Sequence, residues 1–351
     1  MIETNFPMSI IGLSLEQLKN KIKDAGMQPF VAGQLWDWIY KKNKLTFEEM
    51  VNISKQNQLK LKEVIEISPF KAVELLPSGE GRAIKLIITL KDNKKIESVI
   101  LKERDYYTLC VSSQCGCPVD CKFCLTGIVG FTRNLEVDEI IGQVLVANSL
   151  GYHIGNLVFM GMGEPMLNFD NVFEAIDFMT SLDTMGMSKR RVTVSTSGFI
   201  KNIQRLIDEK RYINLAFSVG HANPEKRVRL MPIEKKNPIM EVATKLHEYQ
   251  SLHNRKLTLE YTLIDGMNED DQAIRELARL AKYLDAKVNL INLNPHHKIP
   301  FKPVSTKVLH RARVFLEREK VPVTIRFRKG DDITAACGQL GESHLAPKTA
   351  S

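Results

Sequence analysis

All but one of the six cysteines in this chain fall in one short stretch, residues 110–124, and the sixth is Cys337. Cysteine that serves as an ordinary small core residue is scattered along a sequence, so thiols gathered this closely indicate chemistry rather than packing. The stretch reads CVSSQCGCPVDCKFC. The chain must therefore fold so that several thiols share one loop.

Composition restricts the class of protein. The 351 residues carry a formal net charge of +8, and 44% are hydrophobic and 26% charged, as in a globular protein with a sizeable core. The N-terminus lacks the basic and apolar regions of a signal peptide, and no apolar run is long enough to span a bilayer. We expect a cytoplasmic protein without membrane contact, whose reduced thiols bind metal or react. The basic charge favours a polyanionic partner such as RNA.

Residues 1–68 have the pattern of helices. Ser14 and Gln17 form a capping-box sequence at the start of a first helix, and Pro29 suits the first turn of a second. A third helix is predicted from about Thr46 to Val64. We expect a small helical bundle, and a nucleic-acid accessory domain is the alternative.

Residues 69–104 change to a period of two. Residues 83–90 and 95–102 flank the turn residues Asp92 and Asn93, which predicts an antiparallel β-hairpin. This hairpin carries Glu97 on the last predicted strand before the cysteine stretch.

Residues 105–340 alternate between short apolar strands and helices of about ten to eighteen residues. Such alternation predicts an α/β fold of parallel strands with crossover helices, in either an open sheet or a barrel. Six or seven units are fewer than a complete eightfold barrel needs. Residues 341–351 are predicted to be a tail. The predicted strands are residues 108–112, 156–160, 191–195, 213–219, 257–263, 287–293 and 323–327.

Three of the clustered cysteines, Cys117, Cys121 and Cys124, have the spacing C-x3-C-x2-C. Three thiolates on a short loop can bind three irons of a 4Fe-4S cluster and leave the fourth iron open to a substrate. Zinc is the competing metal, but it would take a fourth protein ligand, and no second cysteine or histidine pair follows at a suitable distance.

This spacing, with Phe123 before the last cysteine, resembles the signature of radical S-adenosylmethionine (SAM) enzymes. Four blocks narrow the resemblance to the RlmN/Cfr family of RNA adenosine methyltransferases, nearer to RlmN. The resemblance implies a partial (β/α)6 barrel with a small N-terminal helical domain and a connecting β-hairpin. The blocks are CVSSQ from Cys110, GMGEP from Gly161, SKRRVTVSTSG from Ser188 and GDDITAACGQL from Gly330.

The resemblance also implies roles for individual residues. Cys117, Cys121 and Cys124 would bind the 4Fe-4S cluster. In the aligned block, Gly220 stands where the family commonly has histidine, and His221 follows one residue later. The residues expected to bind SAM are Gly163, Glu164, Ser195, Ser218, Val219, Gly220 and Asn294.

Covalent catalysis is implied in the same way for two further cysteines. Cys337 would take a methyl group from one SAM, and a radical made from a second SAM would activate that methyl group for addition to adenine. Cys110 would release the product by forming a transient disulfide with Cys337. Glu97 matches the family's proton acceptor.

We therefore expect a monomeric methyltransferase that acts on C2 of an adenosine in 23S rRNA and also on tRNA, with an electron donor such as flavodoxin or ferredoxin. One alternative is Cfr-type C8 methylation, which gives antibiotic resistance and is favoured by Cys115 and Lys122. The other is a non-catalytic RNA-binding protein with structural zinc. The basic side chains expected to meet RNA phosphates are Lys189, Arg190, Arg191, Arg326, Arg328 and Lys329.

Overall fold

The computed structural model describes residues 8–253, 255–326 and 328–345. Its N-terminal part is a group of short helices. Ser14 and Gln17 cap each other's backbone at the start of α1 (Leu15–Asp24), which confirms the capping box. Helix α2 (Phe30–Trp36) begins after Pro29 and continues into a π-helical turn, Asp37–Lys41. A two-residue strand β1 (Met8–Ser9) pairs in parallel with β2 (Ile65–Glu66) and closes this part of the chain.

The third predicted helix is wrong in its first half. The chain makes only a 3-10 turn at Phe47–Glu49, and α3 (Lys55–Val64) starts after Ser54, whose side chain accepts a hydrogen bond from the Asn57 amide. The intervening turn places Met50 and Ile53 in the core, where they are almost fully buried. Burial of two apolar side chains here outweighs the continuation of one long helix.

The predicted hairpin is confirmed and is larger than expected. Strands β4 (Ala83–Leu90) and β5 (Lys95–Lys102) pair antiparallel as predicted, and β3 (Phe70–Pro77) adds a third strand. Strand β5 also pairs with β6 (Tyr107–Cys110). The hairpin is therefore continuous with the central sheet, because its edge strand finds a partner in the core.

Seven parallel strands with helices between them form the partial (β/α)6 barrel. The sheet has ten strands in the order β14-β13-β12-β11-β10-β9-β6-β5-β4-β3, and its two edge strands do not pair with each other within the described residues. A separate small ribbon is made by β7 (Gln114–Gly116) and β8 (Phe131–Asn134). The remaining parallel strands are β9 (Ile154–Phe159), β10 (Val192–Thr196), β11 (Asn214–Ser218), β12 (Thr258–Leu263), β13 (Lys287–Asn292) and β14 (Val323–Arg326).

These strands confirm the seven predicted ones to within about two residues, the usual uncertainty of element ends. Phe327, predicted to end the last strand, lies outside the described residues. In the part of the chain that the structure describes, no helix has the length and apolarity to cross a membrane. The helices are α4 (Leu125–Val129), α5 (Val137–Ser149), α6 (Phe169–Thr180), α7 (Ile200–Asp208), α8 (Pro224–Leu230), α9 (Ile239–His253), α10 (Asp271–Tyr283) and α11 (Thr306–Arg318).

Candidate active site

Cys117, Cys121 and Cys124 lie on the loop between β7 and α4, and all three line one cavity at the carboxyl ends of the parallel strands. The loop is held by backbone hydrogen bonds from Cys117 to the Gly130 carbonyl at 2.9 Å and from Lys122 to the Leu230 carbonyl at 2.9 Å. Parallel α/β folds bind ligands at this edge of the sheet. The structure thus brings the three thiols together where a ligand is expected.

The environment of these thiols suits a metal-bound state. Burial raises the pKa of Cys117 and of Cys121, and the neighbouring Cys124 adds to both shifts. Thiols that resist ionisation alone become thiolates when a metal cation compensates their charge. Thiolates that bind a cluster each hold a different iron, so Cys117, Cys121 and Cys124, which line one cavity, are the donor set that a 4Fe-4S cluster takes.

The Gly-Met-Gly-Glu loop follows β9 and lies against the cysteine stretch. A side chain at Gly161 would place its Cβ 2.5 Å from the Val111 carbonyl oxygen. Gly163 has φ +101°, and a Cβ there would meet Gln114 at 2.6 Å. Real Cβ atoms do not approach other atoms this closely, so both positions require glycine.

Glu164 is buried at the end of this loop. Its Oε2 accepts hydrogen bonds from the Ser197 amide at 2.9 Å and the Ser197 hydroxyl at 2.7 Å, and its own amide donates to Gln114 at 2.9 Å. Burial raises the pKa of Glu164, and the bonds from Ser197 oppose that shift. A fixed, buried carboxylate in this cavity can receive the ammonium group of an amino acid.

The residues predicted to bind SAM divide into two groups. Gly163, Glu164, Ser195, Ser218 and Gly220 line the same cavity as the three thiols. The other two lie elsewhere, since Val219 is fully buried with its carbonyl accepting from Arg227 at 2.9 Å, and Asn294 lines a second, adjoining cavity.

His221 does not take the place of the histidine that the family commonly has one residue earlier. Its Nδ1 accepts a hydrogen bond from the Asn223 amide at 2.9 Å, and its side chain is buried outside the cavity. The space beside Gly220 is taken by Met231, whose sulfur lies 2.4 Å from where a Cβ would be. Gly220 also has φ +67°. The Met231 thioether therefore occupies the part of the cavity wall where the family commonly has an imidazole.

Cys337 connects the two cavities, because it lines both of them. Cys110, at the end of β6, lines the second cavity with Cys337 and Asn294, and the Asn294 side chain donates to the Cys337 carbonyl at 2.8 Å. Burial raises the pKa of Cys110 to about 12. Two cysteines more than two hundred residues apart in sequence thus share one cavity, while Cys115 is buried outside both.

Glu97 lies outside both cavities. It is fully buried, and it accepts hydrogen bonds from the amides of Gly341 at 3.1 Å and Ser343 at 2.8 Å. Lys85 lies 3.6 Å away as its ionic partner. In its described part, residues 341–345, the predicted tail is therefore ordered, because two of its amides donate to a buried carboxylate.

Residues 338–345 are also joined to the start of α4, directly after Cys124. The Leu125 amide donates to the Gly338 carbonyl at 2.8 Å, and the Thr126 hydroxyl donates to the Leu340 carbonyl at 2.6 Å. The start of α4 and the segment after Cys337 thus hold each other in place.

Two charged residues of the cavity were not predicted for it. Arg326 was expected to meet RNA phosphate, but it lines both cavities and its guanidinium donates to the Met160 sulfur at 3.3 Å. Glu260, on β12, also lines the first cavity. The alternation of inward and outward residues along each strand is the signal that could have identified both, once the strand register was known.

Comparison with known proteins agrees with this geometry. Residues 111–281 match the family described as the Radical SAM superfamily, and residues 8–67 match the Ribosomal RNA large subunit methyltransferase N-terminal domain. A probable dual-specificity RNA methyltransferase RlmN from Pseudothermotoga lettingae is 40% identical over 97% of this chain and 99% of its own length. The corresponding protein of Aquifex aeolicus is 38% identical over 96% and 98%.

A solved structure is also similar over nearly the whole chain. The crystal structure of a radical SAM methyltransferase from Sphaerobacter thermophilus superposes with a TM-score of 0.90 at 35% identity, and covers 95% of this chain and 99% of that one. The cofactors of this superfamily are a 4Fe-4S cluster and SAM. A 4Fe-4S cluster therefore takes the place of the structural zinc that was the alternative. The chain belongs to the RlmN/Cfr family of radical SAM RNA methyltransferases, on its RlmN side.

Proposed function

We propose that the protein methylates C2 of an adenosine in 23S rRNA, with tRNA as a second substrate, and that Cys337 carries the methyl group. The observation that carries this proposal is the position of Cys337, which lines both the cavity of the cluster cysteines and the cavity that contains Cys110. The words "dual-specificity" in the names of the relatives support more than one RNA substrate.

The chemistry of adenine explains why a cysteine is needed. Carbon C2 has no lone pair and is electron-poor, so it cannot displace the methyl group of a sulfonium. A Cys337 thiolate can do so, which gives methyl-Cys337 and S-adenosylhomocysteine. Cys117, Cys121 and Cys124 would hold a 4Fe-4S cluster that supplies, when bound and reduced, the one electron needed to convert a second SAM to methionine and a deoxyadenosyl radical. The Cys337 methyl group would give one hydrogen atom to that radical, and the carbon radical left on Cys337 would add to C2.

Cys110 then resolves the link between protein and RNA. Its sulfur bonds to the Cys337 sulfur while the bond from that sulfur to the methylene carbon breaks. The C2 proton leaves, the methylene group gains a proton and becomes methyl, and the thiol proton of Cys110 is lost. The balance releases one proton, which Glu97 accepts in our proposal, and one electron, which a bound cluster would take up.

Two parts of the proposal concern partners and motion. A small electron carrier, flavodoxin or ferredoxin, supplies the first electron, and a two-electron thiol reductant returns the Cys110–Cys337 disulfide to two thiols before the next turnover. The Gly341 and Ser343 amides donate hydrogen bonds to the Glu97 carboxylate. The role of Glu97 as proton acceptor therefore also requires residues 341–343 to move away from it when RNA is bound.

Mass spectrometry of rRNA and tRNA nucleosides, from cells that carry or lack the gene, tests the position of methylation. We expect 2-methyladenosine to depend on the gene in both RNA fractions. Finding only 8-methyladenosine would make Cfr-type methylation the correct function. Iron and sulfide in anaerobically purified protein test the cofactor, and zinc alone would contradict it.

Variants of the cysteines test the covalent route. Cys337→Ala should abolish methyl transfer and keep the iron content, while Cys110→Ala should accumulate a protein–RNA adduct that gel electrophoresis resolves. Cys115→Ala is the matched control, since Cys115 is buried outside both cavities, and it should methylate normally. Normal release of methylated RNA by Cys110→Ala would remove Cys110 from the mechanism.

A further inference from the structure

Glu260 occupies an unusual position for a carboxylate, inside the barrel. It is the register partner of Ser218 on β11 and of Asn289 on β13. Register partners on parallel strands present their side chains on the same face, so these three side chains point into the barrel together. Both Glu260 and Ser218 line the cavity that contains the cluster cysteines.

One oxygen of this carboxylate has no partner. Oε1 accepts a hydrogen bond from the Asn289 side-chain amide at 2.9 Å, whereas Oε2 is buried and accepts none from the described residues. Only 7% of Glu260 is exposed, and burial raises its pKa. Buried acceptors in native proteins are nearly always satisfied, so this oxygen of a residue in the cavity wall is a candidate acceptor for a molecule that binds there.

An internal ion pair does not account for Glu260. Arg326 is the nearby cation whose charge opposes the shift in the Glu260 pKa. Its guanidinium donates to the Met160 sulfur instead. The carboxylate oxygen is thus left available to a molecule in the cavity.

We propose that the free Glu260 oxygen accepts a hydrogen bond from a ribose hydroxyl of SAM, an inference that rests on SAM being bound in this cavity as proposed above. Glu164, the expected partner of the SAM ammonium group, follows β9, which is separated from β12 by two strands. At about 4.8 Å per strand, the two carboxylates are too far apart across the sheet to bind the same group.

Ribose fits Glu260 better than the other remaining donor, the adenine amino group. The Ser218 hydroxyl lines the same cavity beside Glu260. Two neighbouring oxygen acceptors on adjacent strands match the two neighbouring hydroxyls of a ribose, while an amino group would need only one of them.

Calorimetric titration of the full-length, cluster-containing protein tests this assignment. Glu260→Gln should bind SAM about tenfold more weakly or worse, because the Asn289 amide holds the one oxygen of the glutamine side chain and an NH2 group replaces the free acceptor. SAM analogues with 2′-deoxy or 3′-deoxy ribose identify the contact. One of them should bind the native protein weakly and should lose little further affinity with Glu260→Gln.

Glu276→Gln is the matched control. Glu276 also has a buried oxygen without a hydrogen-bond partner, yet it lies on α10 outside the cavity, so SAM binding should not change. Unchanged melting temperature and iron content of Glu260→Gln confirm that it is folded and loaded. Native affinity of Glu260→Gln for SAM, or an equal loss for SAM and both deoxy analogues, would overturn the inference. Failure of the native protein to bind SAM would instead reject the proposed function.

Discussion

Gly161 shows how closely the backbone is packed around the cavity. A Cβ at this position would lie 2.5 Å from the oxygen and 2.6 Å from the carbon of the Val111 carbonyl, which are backbone atoms that cannot swing aside. We expect Gly161→Ala to lower the free energy of unfolding by about 1–3 kcal/mol, as overpacking does. It should also weaken SAM binding, because the Gly-Met-Gly-Glu loop must shift. Urea unfolding and calorimetry measure the two effects.

Gly33 provides the control for that substitution. It lies within α2, and a Cβ there would have no heavy atom within 4 Å. Gly33→Ala should therefore be neutral or stabilising by up to about 1 kcal/mol, the difference in helix propensity. Equal destabilisation by both substitutions would show that the Val111 contact is not the cause.

His221 gives the stability a pH dependence of its own. Burial lowers the pKa of His221, and the charge of Lys226 adds to the effect, while Glu276 and Asp270 oppose it. The unfolded state therefore takes up the proton first as the pH falls below about 6.5, and the free energy of unfolding decreases. His221→Asn keeps an acceptor for the Asn223 amide but does not titrate.

Urea midpoints measured between about pH 7 and pH 5 should thus decline less steeply for His221→Asn than for the native protein. Parallel curves for the two proteins would mean that His221 is not responsible. Because the comparison subtracts every other titrating group, the buried carboxyls of Glu164 and Glu260, whose raised pKa values act in the opposite direction, do not affect it.

Short motifs identified the candidate residues that carry their own chemical signature. Thiols at fixed spacing and glycines before a carboxylate can be read from neighbouring letters in a sequence. Glu260 and Arg326 could not be found in that way, because their place in the cavity wall depends on which face of a strand they occupy and on which residues of the adjacent strands lie beside them. Register between strands that are dozens of residues apart is a property of the folded sheet.

At the scale of elements, α8 supports the cavity through one buried side chain. Arg227 is fully buried and donates to the Val219 carbonyl at 2.9 Å, to the Ser197 carbonyl at 2.7 Å and to the Glu234 carboxylate. Ser197 in turn donates to Glu164. The guanidinium therefore joins the carboxyl ends of β10 and β11 to the segment after α8.

Arg227→Met should lower the free energy of unfolding by about 3–5 kcal/mol, because it leaves the charge of Glu234 buried without its partner. SAM affinity should fall as well, since Ser197 loses its support. Arg229 lies on the exposed side of the same helix, and Arg229→Met should change stability by no more than about 0.5 kcal/mol. Guanidinium chloride unfolding of both variants measures this difference in stability. Similar unfolding midpoints for Arg227→Met and Arg229→Met would contradict the role given to Arg227.

Periodicity in the sequence predicted most elements but not their partners. The strands and helices of the barrel have strong apolar patterns and cap residues that act locally. The helix predicted to begin near Thr46 was wrong because Met50 and Ile53 are drawn into a core built by distant residues. Strand β3 was missed for a similar reason, since its mostly exposed pattern makes sense only beside β4.

At the scale of the molecule, the N-terminal helices pack on the barrel through aromatic side chains. The Trp36 indole donates to the Asp183 carbonyl at 3.1 Å, and the rings of Trp36 and Tyr40 lie 5.9 Å and 5.1 Å from that of Phe178 at the end of α6. We expect Trp36→Ala to destabilise the protein by about 3–5 kcal/mol, the usual cost of removing a buried tryptophan. Thermal unfolding followed by circular dichroism measures this.

Trp38, two residues away, is the control. It is only partly buried, and its indole donates to the Asn52 side chain and lies beneath the Lys42 ammonium group, both in the N-terminal part of the chain. Trp38→Ala should cost less and leave the contact with α6 intact. A larger loss for Trp38→Ala than for Trp36→Ala would show that the contact with Phe178 contributes little.

The hydrogen bonds between the start of α4 and residues 338–345 have a consequence for the stability of the protein in air. If oxygen damage to a bound cluster displaced the cysteine loop and α4, the Gly338 and Leu340 carbonyls would lose the donors that now hold them. The far end of the chain would then become an early target for proteases. Proteolytic loss of C-terminal residues would therefore distinguish oxidised molecules from intact ones. Cys337 would be among the residues exposed to this cleavage.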